Sequence, residues 1–335
     1  MLNYYEKYPE FIQPKSRRNE VISFVKSGLK DLSISRTSFK WGIKVEDNKS
    51  HIMYVWIDAL VNYLTSLGYP DLKEKKNYWN ECIHIIGKDI LKFHAVYWPA
   101  MLMAANLPLP KKIFAHGWWT NEGKKISKSL GNTIDPNKII DNFGLDQFRY
   151  FLLREVTLGQ DGDFSENALK NRVNSDLSNN LGNLVQRTIK FLFKNFEGVL
   201  PFQLELDSSN NYPLKDAYLL FQKVEERITN LELSKGIDEI FLFISNLNKF
   251  MDESEPWNMI KSDRVLTGKV LTELIESFRV IGIILQPFLP IASKLLLDTL
   301  NIDNKLRTFK FLNAKNVLNK GHKLNEPKVL FPRFE

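Results

Sequence analysis

Apolar and polar positions follow one another along this chain in two regimes. In the first third, short apolar runs end in polar or glycine punctuation: HIMYVWID (51–58), CIHIIG (82–87) and KIFAHG (112–117). Runs bounded in this way predict buried strands. Between the last two, residues 89–107 carry apolar positions at helical spacing, with Asp89 placed to cap the helix start. Strand, helix, strand in that order predicts a parallel sheet that presents ligands beyond its strand C-termini. Doubly wound sheets usually have about five or six strands, and about three are legible, so the front of such a sheet is missing from the pattern.

From about residue 145 the period becomes helical. Residues 145–156 are amphipathic, and Ala217, Leu220, Phe221, Val224, Ile228 and Leu231 fall on one stripe of 213–231. Ile237, Ile240, Phe241, Ile244 and Leu247 repeat it. A long helix near 165–195 and another near 267–285 complete an antiparallel bundle. The final EPKVLFPRFE reads as an extended segment docked on the body.

A chain of 335 residues, 44% of them apolar, can bury two ordinary cores. The formal charge of +7 favours an anionic partner, nucleic acid before a membrane surface. Cys82 is the only cysteine, which excludes an internal disulfide and a Cys-rich zinc site and fits a reducing compartment. The opening residues have no secretory h-region. The most apolar stretch, VIGIILQPFLPIASKLLL (280–297), is interrupted by Gln286, Pro287, Pro290 and Lys294 and predicts a buried helix rather than a bilayer span. A soluble, cytoplasmic protein is expected.

The chemistry concentrates in GKKISKSLGN (123–132), where Lys124, Lys125 and Lys128 crowd together with Ser127 and Ser129. Such a loop is either an ordinary basic surface turn or a grip for a dense anion. It is neither a Walker A loop nor a G-x-G-x-x-G turn. It follows the third predicted strand, and its ammonium and hydroxyl groups suit the charge that develops on a leaving polyphosphate.

KISKS (125–129) resembles the K-M-S-K-S loop of class I aminoacyl-tRNA synthetases. YVWIDALVNY (54–63), HIIGKDILKFHAVYWPAML (84–102), FAHGWWTNEGKKISKSLGN (114–132) and ESEPWNMIK (253–261) narrow the resemblance to methionyl-tRNA synthetases, in order from about residue 20 to 300. The resemblance implies an α/β plus all-α architecture. Residues 1–119 would form the second half of a Rossmann-type catalytic domain, 120–164 the lysine loop and stem-contact region, and 165–335 a helix-bundle anticodon-binding domain with its tail. It implies ATP, with Mg2+, methionine and tRNA(Met) as the molecules bound, and no zinc site in this chain. Lys125 and Lys128 would be catalytic, stabilising pyrophosphate, and Ser127 and Ser129 would join them in binding ATP.

Trp56 and Tyr63 bracket the end of the first predicted strand, and His94 and Trp98 share a helix face at i, i+4. Aromatics at that spacing are core packing or a pocket wall. By the resemblance, Trp56, Ala59, Tyr63, Ile90, His94 and Trp98 wall the methionine side chain; the chemistry suits it, since a thioether is polarisable and an imidazole such as that of His94 can offer sulfur a weak hydrogen bond. Asp89 lies near the substrate amine and Arg36 at the active site. Leu60 departs from the proline of many family members. In SNNLGNLVQR, Asn179, Asn183 and Arg187 are spaced four apart, and Trp257 follows Pro256 at a helix start. These are a solvated helix face and a core tryptophan, or a reader of unstacked bases; the resemblance implies recognition of the CAU anticodon by all five.

The family's His-Ile-Gly-His signature and first strands are not in this sequence, and HIIGKD (84–89) is not that signature. The expectation is therefore a truncated or split chain, inactive in ATP–pyrophosphate exchange on its own, and a monomer or one half of a pair. Synthetases for leucine, isoleucine, valine or cysteine share the lysine loop and form the alternative within the enzyme class. A tRNA-binding module without catalysis is the alternative outside it.

Overall fold

The computed structural model describes residues 1–71, 76–127, 129, 131–205 and 212–335. Two compact units divide the chain: Met1–Trp118 with Gly159–Asp161, and Trp119–Leu158 with Gly162–Glu335.

The first unit holds a parallel sheet in the order β1-β6-β5, built from β1 (Ile12–Gln13), β6 (Lys112–His116) and β5 (Ile83–Gly87). The two apolar runs at 82–87 and 112–117 are thus strands of one sheet. The run at 51–58 is not. Only its first three residues are strand: β4 (Asn48–Met53) ends at Met53 and pairs antiparallel with β2 (Ser35–Arg36) and β3 (Lys44–Val45) in a separate sheet. Residues Val55–Thr65 then form helix α3. The physical reason is length: the apolar run continues through Leu64, broken only by Asp58 and Asn62, and a run that long buries more apolar surface coiled than extended. The third parallel strand, β1, has only two residues and leaves no periodicity to read.

Helices α1 (Leu2–Lys7) and α2 (Lys15–Lys26) flank β1, and α4 (Lys76–Asn80) precedes β5. The predicted helix after β5 begins with a 3₁₀ turn at Lys88–Ile90, passes through a π segment at Phe93–Tyr97 and ends as α5 (Trp98–Ala104). Asp89 is not its cap. The capping position is Gly87, with no side-chain bond, and Asp89 lies inside the first turn. Two cores result. Tyr5, Ile12, Ile86, Ala95 and Ile113 pack along the sheet, whereas Leu60 and Leu64 of α3, Trp79 of α4, and Trp98 and Leu102 of α5 form the second.

The second unit opens with β7 (Trp119–Asn121), β8 (Lys124–Lys125) and β9 (Gly162–Phe164), in the order β8-β7-β9. Helices α6 (Pro136–Phe143) and α7 (Leu145–Arg154) lie between β8 and β9 in sequence. After β9 come α8 (Glu166–Arg172), a π-helical stretch Val173–Gly182 and α9 (Asn183–Phe196), one continuous helical run where one long helix was expected. Next are α10 (Leu214–Thr229), α11 (Leu233–Ser254), α12 (Pro256–Met259), α13 (Arg264–Leu285) and α14 (Pro290–Thr299). Of the two predicted stripes, Ala217, Leu220, Val224, Ile237, Ile240, Phe241, Ile244 and Leu247 are buried in one core. Leu231 leaves the stripe, taking φ +61° just past α10.

The apolar stretch at 280–297 is two helices rather than one, broken after Leu285 where Pro287 and Pro290 remove backbone donors. Asp146 of α7 accepts the Ala292 N–H at 2.7 Å and so caps α14 from outside. The tail is extended, and Asn174 clamps it by donating to the Phe334 carbonyl and accepting its N–H, each at 2.8 Å. Among the described residues no helix is long and apolar enough to cross a membrane.

Glu273 of α13 is 5% exposed, with the Lys269 ammonium 3.9 Å away. Burial pushes its carboxyl up to about 7 from an ordinary 4.5, and Lys269 offsets part of the rise. A folded-state pKa above the unfolded value means the neutral acid is the form that suits the fold. Its contribution is complete below about pH 4.5 and is lost as pH rises through about 7. Glu273→Gln is therefore expected to stabilise the chain at pH 8.5, by up to about 3 kcal/mol, and hardly at all at pH 4.5. Urea unfolding at both pH values measures this; equal effects at the two would contradict it.

Candidate active site and nucleic-acid interface

In the unit of the parallel sheet, α3 sets Trp56, Ala59 and Tyr63 at i, i+3 and i+7, one helix face rather than the strand end expected from sequence. The Trp56 ring stacks on Phe93, with centroids 4.1 Å apart and planes 12° apart, and meets His94 edge-on at 5.9 Å. Tyr63 lies 5.8 Å from the His94 ring and 6.3 Å from Trp98. The structure thus brings four of the predicted rings together. Ala59 is exposed on the same face, and Leu60, four residues after Trp56, is buried in the cluster that also holds Trp98.

Hydrogen bonds settle the state of His94. Its Nδ1 lies 3.1 Å from the Ile90 carbonyl, which only accepts, so Nδ1 carries the proton. Nε2 is then an acceptor, and the Tyr63 hydroxyl donates to it at 2.9 Å. Burial lowers the imidazole pKa, partly offset by the bond to Ile90, which keeps the ring neutral. Ile90 and Tyr63 thus occupy both ring nitrogens of His94. Burial also raises the Tyr63 pKa, with Cys82 adding to it, so the phenol keeps its proton.

The other candidates lie around this cluster. Ile90, half-buried, packs against the sheet core and gives its carbonyl to His94. The exposed Asp89 carboxylate accepts the Trp118 indole N–H at 3.3 Å. Lys88 spans the Trp118 ring, 4.2 Å from its centroid, and both Asp161 oxygens at 2.8 and 2.6 Å. The chain turns here at Gly117, where a Cβ would stand 2.2 Å from the Gln160 carbonyl oxygen. On β2, the Arg36 guanidinium covers the Tyr54 ring at 3.9 Å, and Tyr54 leads through Phe93 to Trp56. Arg36 borders an open cavity of about 990 Å³ with Phe39, Trp41, Ile43 and Asp58.

The lysine loop belongs to the second unit. It does not directly follow the parallel strand; a hairpin intervenes, in which Glu122 (φ +50°) and Gly123 (φ +74°) form the two-residue turn joining β7 to β8. Asp163 on β9 accepts the Gly123 N–H at 2.8 Å and the Thr120 hydroxyl, and these bonds, Thr120 first, hold its carboxyl below the usual range. Asn132 fastens the loop base. It accepts the Ser127 N–H at 2.9 Å and donates to the Lys125 carbonyl at 3.0 Å, while its own carbonyl takes the Asn121 amide at 3.0 Å. The Ser127 and Ser129 hydroxyls are 2.7 Å apart. Lys128 lies outside the described residues.

In the bundle, Asn179 and Asn183 are exposed while Arg187 reaches α11, donating to Asp252 at 2.7 Å and to the Asn248 side chain at 3.1 Å. Asn248 in turn donates to Asn180 at 2.8 Å. It is Asn180, not Asn179 or Asn183, that shares this network, because seven residues bring a helix back to nearly the same face. Pro256 is buried at the first position of α12, after Glu255 at φ +41°, and leaves Trp257 40% exposed. Asn132, Asn180 and Asn248 were not singled out from sequence; the only signal was an asparagine closing the GN of the loop and one adjoining Asn179.

Residues 1–189 match the family described as tRNA synthetases class I (M), and residues 208–335 match the anticodon binding domain of methionyl tRNA ligase. The methionine–tRNA ligase of Rickettsia felis is 51% identical over 341 residues, covering 100% of this chain and 66% of the relative. That of Caldanaerobacter subterraneus subsp. tengcongensis is 48% identical, covering 100% of this chain and 53% of its own length. The solved Mycobacterium tuberculosis methionyl-tRNA synthetase in complex with methionyl-adenylate is 43% identical, with a TM-score of 0.93 over 99% of this chain and 66% of that one. This chain spans about two thirds or less of the length of these relatives.

Proposed function

The chain belongs to the class I methionyl-tRNA synthetases, and from that premise we propose that it works in the methionine–tRNA ligase reaction. The methionine carboxylate attacks the α-phosphate of ATP, pyrophosphate departs, and methionyl-adenylate forms. A ribose hydroxyl of tRNA(Met) then displaces AMP. The supporting observation is the match of this fold, nearly end to end, to a synthetase solved with methionyl-adenylate.

Trp56, Ala59, Tyr63, Ile90, His94 and Trp98 enclose the methionine side chain, Asp89 serves the amine, and Arg36 acts at the active site. Fit alone separates near-isosteres by only about 1–3 kcal/mol. Each thioether–aromatic contact adds about 0.3–1.5 kcal/mol. Lys125 and Lys128, with Ser127 and Ser129, bind ATP and stabilise the pyrophosphate as it leaves. Magnesium arrives with ATP and is held chiefly by its phosphates. Among the described residues no group of three or more His, Cys, Asp or Glu is placed to hold a metal ion. Asn179, Asn183, Arg187, Pro256 and Trp257 read the CAU anticodon.

The test is amino-acid-dependent ATP–pyrophosphate exchange by an active synthetase containing this sequence. Methionine is expected to support exchange, and leucine, isoleucine, valine and cysteine are not. Exchange driven by any of those four ahead of methionine would overturn the assignment.

A further inference from the structure

β5 turns Ile83 and Ile85 to one side and His84 and Ile86 to the other, so His84 fills a place where an apolar residue would cost less to bury. It is 4% exposed. Its ring centroid lies 4.4 Å from Tyr63, 5.8 Å from His94 and 6.1 Å from Trp79. Its Nε2 accepts the Trp98 indole N–H at 3.3 Å. An accepting nitrogen carries no proton, so Nδ1 holds it. Burial, then the neighbouring His94, lowers the imidazole pKa to about 4, and the ring remains a neutral acceptor near pH 7. Trp98 is itself 1% exposed, and an indole has a single donor. With His84 gone, that N–H would have to turn toward another acceptor and take its ring along.

We infer that His84 is a positioning residue of the amino-acid pocket: it holds the Trp98 indole by its N–H and backs the Tyr63 ring, fixing two walls that decide which side chain fits. The inference rests on the reading of Trp56, Tyr63, His94 and Trp98 as the methionine wall. Touching three of those four residues while facing away from solvent, His84 acts through them.

The test is calorimetric binding of methionine and of norleucine, its sulfur-free isostere, to the full chain. Wild type, His84→Phe and His84→Gln are compared, with the Trp98 indole N–H followed by NMR. In His84→Phe the indole proton is expected to move upfield, methionine to bind about tenfold more weakly (about 1.4 kcal/mol) and the preference over norleucine to shrink. His84→Gln, which places an amide oxygen where Nε2 stood, is expected to keep the indole resonance and to stay within about threefold of wild type. It carries the test should the Phe variant not fold. A folded His84→Phe chain that binds both ligands as wild type does, or a His84→Gln chain that loses the indole hydrogen bond without losing affinity, overturns the inference alone. Absence of methionine binding by the wild type removes the pocket reading and this inference with it.

Discussion

Lys128→Ala is expected to slow methionyl-adenylate formation about 10²–10³-fold, about 3–4 kcal/mol of barrier, while leaving methionine affinity nearly unchanged. The asymmetry is the point. Negative charge on the departing pyrophosphate grows only as the P–O bond breaks, so a cation placed to meet it binds the transition state more tightly than the ground state. Among the described residues of the loop, the two-residue turn, the Asp163 bonds and the Asn132 staple fix Gly123, Lys125 and Ser127; Lys128 lies outside the described residues. Single-turnover activation by an active synthetase carrying the substitution measures the effect. An unchanged rate, or a loss seen only as weaker methionine binding, refutes the role.

Arg279→Ala is expected to destabilise the bundle by about 3–5 kcal/mol. Arg279 and Glu276 have side chains 2% and 0% exposed, joined by bonds of 2.9 and 2.6 Å. Around them, Tyr218 of α10 donates to Glu276 at 2.8 Å, the Leu318 N–H at 3.2 Å, and Arg279 donates to the Phe311 carbonyl at 2.9 Å. Removing the guanidinium leaves a buried carboxylate with two neutral donors and no counter-charge, and frees the segment that Phe311 anchors. Removing both charges together is different: Glu276→Leu with Arg279→Met exchanges an ion pair for apolar packing and is expected to recover most of the loss. Denaturant unfolding of the single and double variants decides it. A single variant costing under about 1 kcal/mol would show that the pair is no keystone of the bundle.

The elements that sequence pattern revealed are those whose partners lie along the same stripe. The strands at 82–87 and 112–117 and the stripes of α10 and α11 each expose their period to inspection. The segment from Tyr54 to Leu64 does not, because a run with so few polar breaks carries no period to separate a strand from a buried helix. β1 is too short to show one. Helical spacing put His94 and Trp98 on one face, but Trp56 and Tyr63 were expected at a strand end, and the grouping of all four came from the family resemblance rather than from spacing. Their hydrogen bonds were not legible, since the His94 tautomer depends on a carbonyl one turn back and on a hydroxyl 31 positions away in sequence. His84 was hidden for the same reason: inside an apolar run it reads as one more strand residue, and only its indole partner gives it a role.

The most direct measurement is the affinity of this chain for a tRNA bearing the CAU anticodon, against the same tRNA with one anticodon base changed, at one stated salt concentration. Wild type is expected to prefer CAU at least about tenfold. Trp257→Ala should lose about 1–3 kcal/mol of binding and most of that preference, because an exposed indole that stacks on a base has no substitute in alanine. Equal binding of the two tRNAs by the wild-type chain, or an intact preference in Trp257→Ala, would contradict the account.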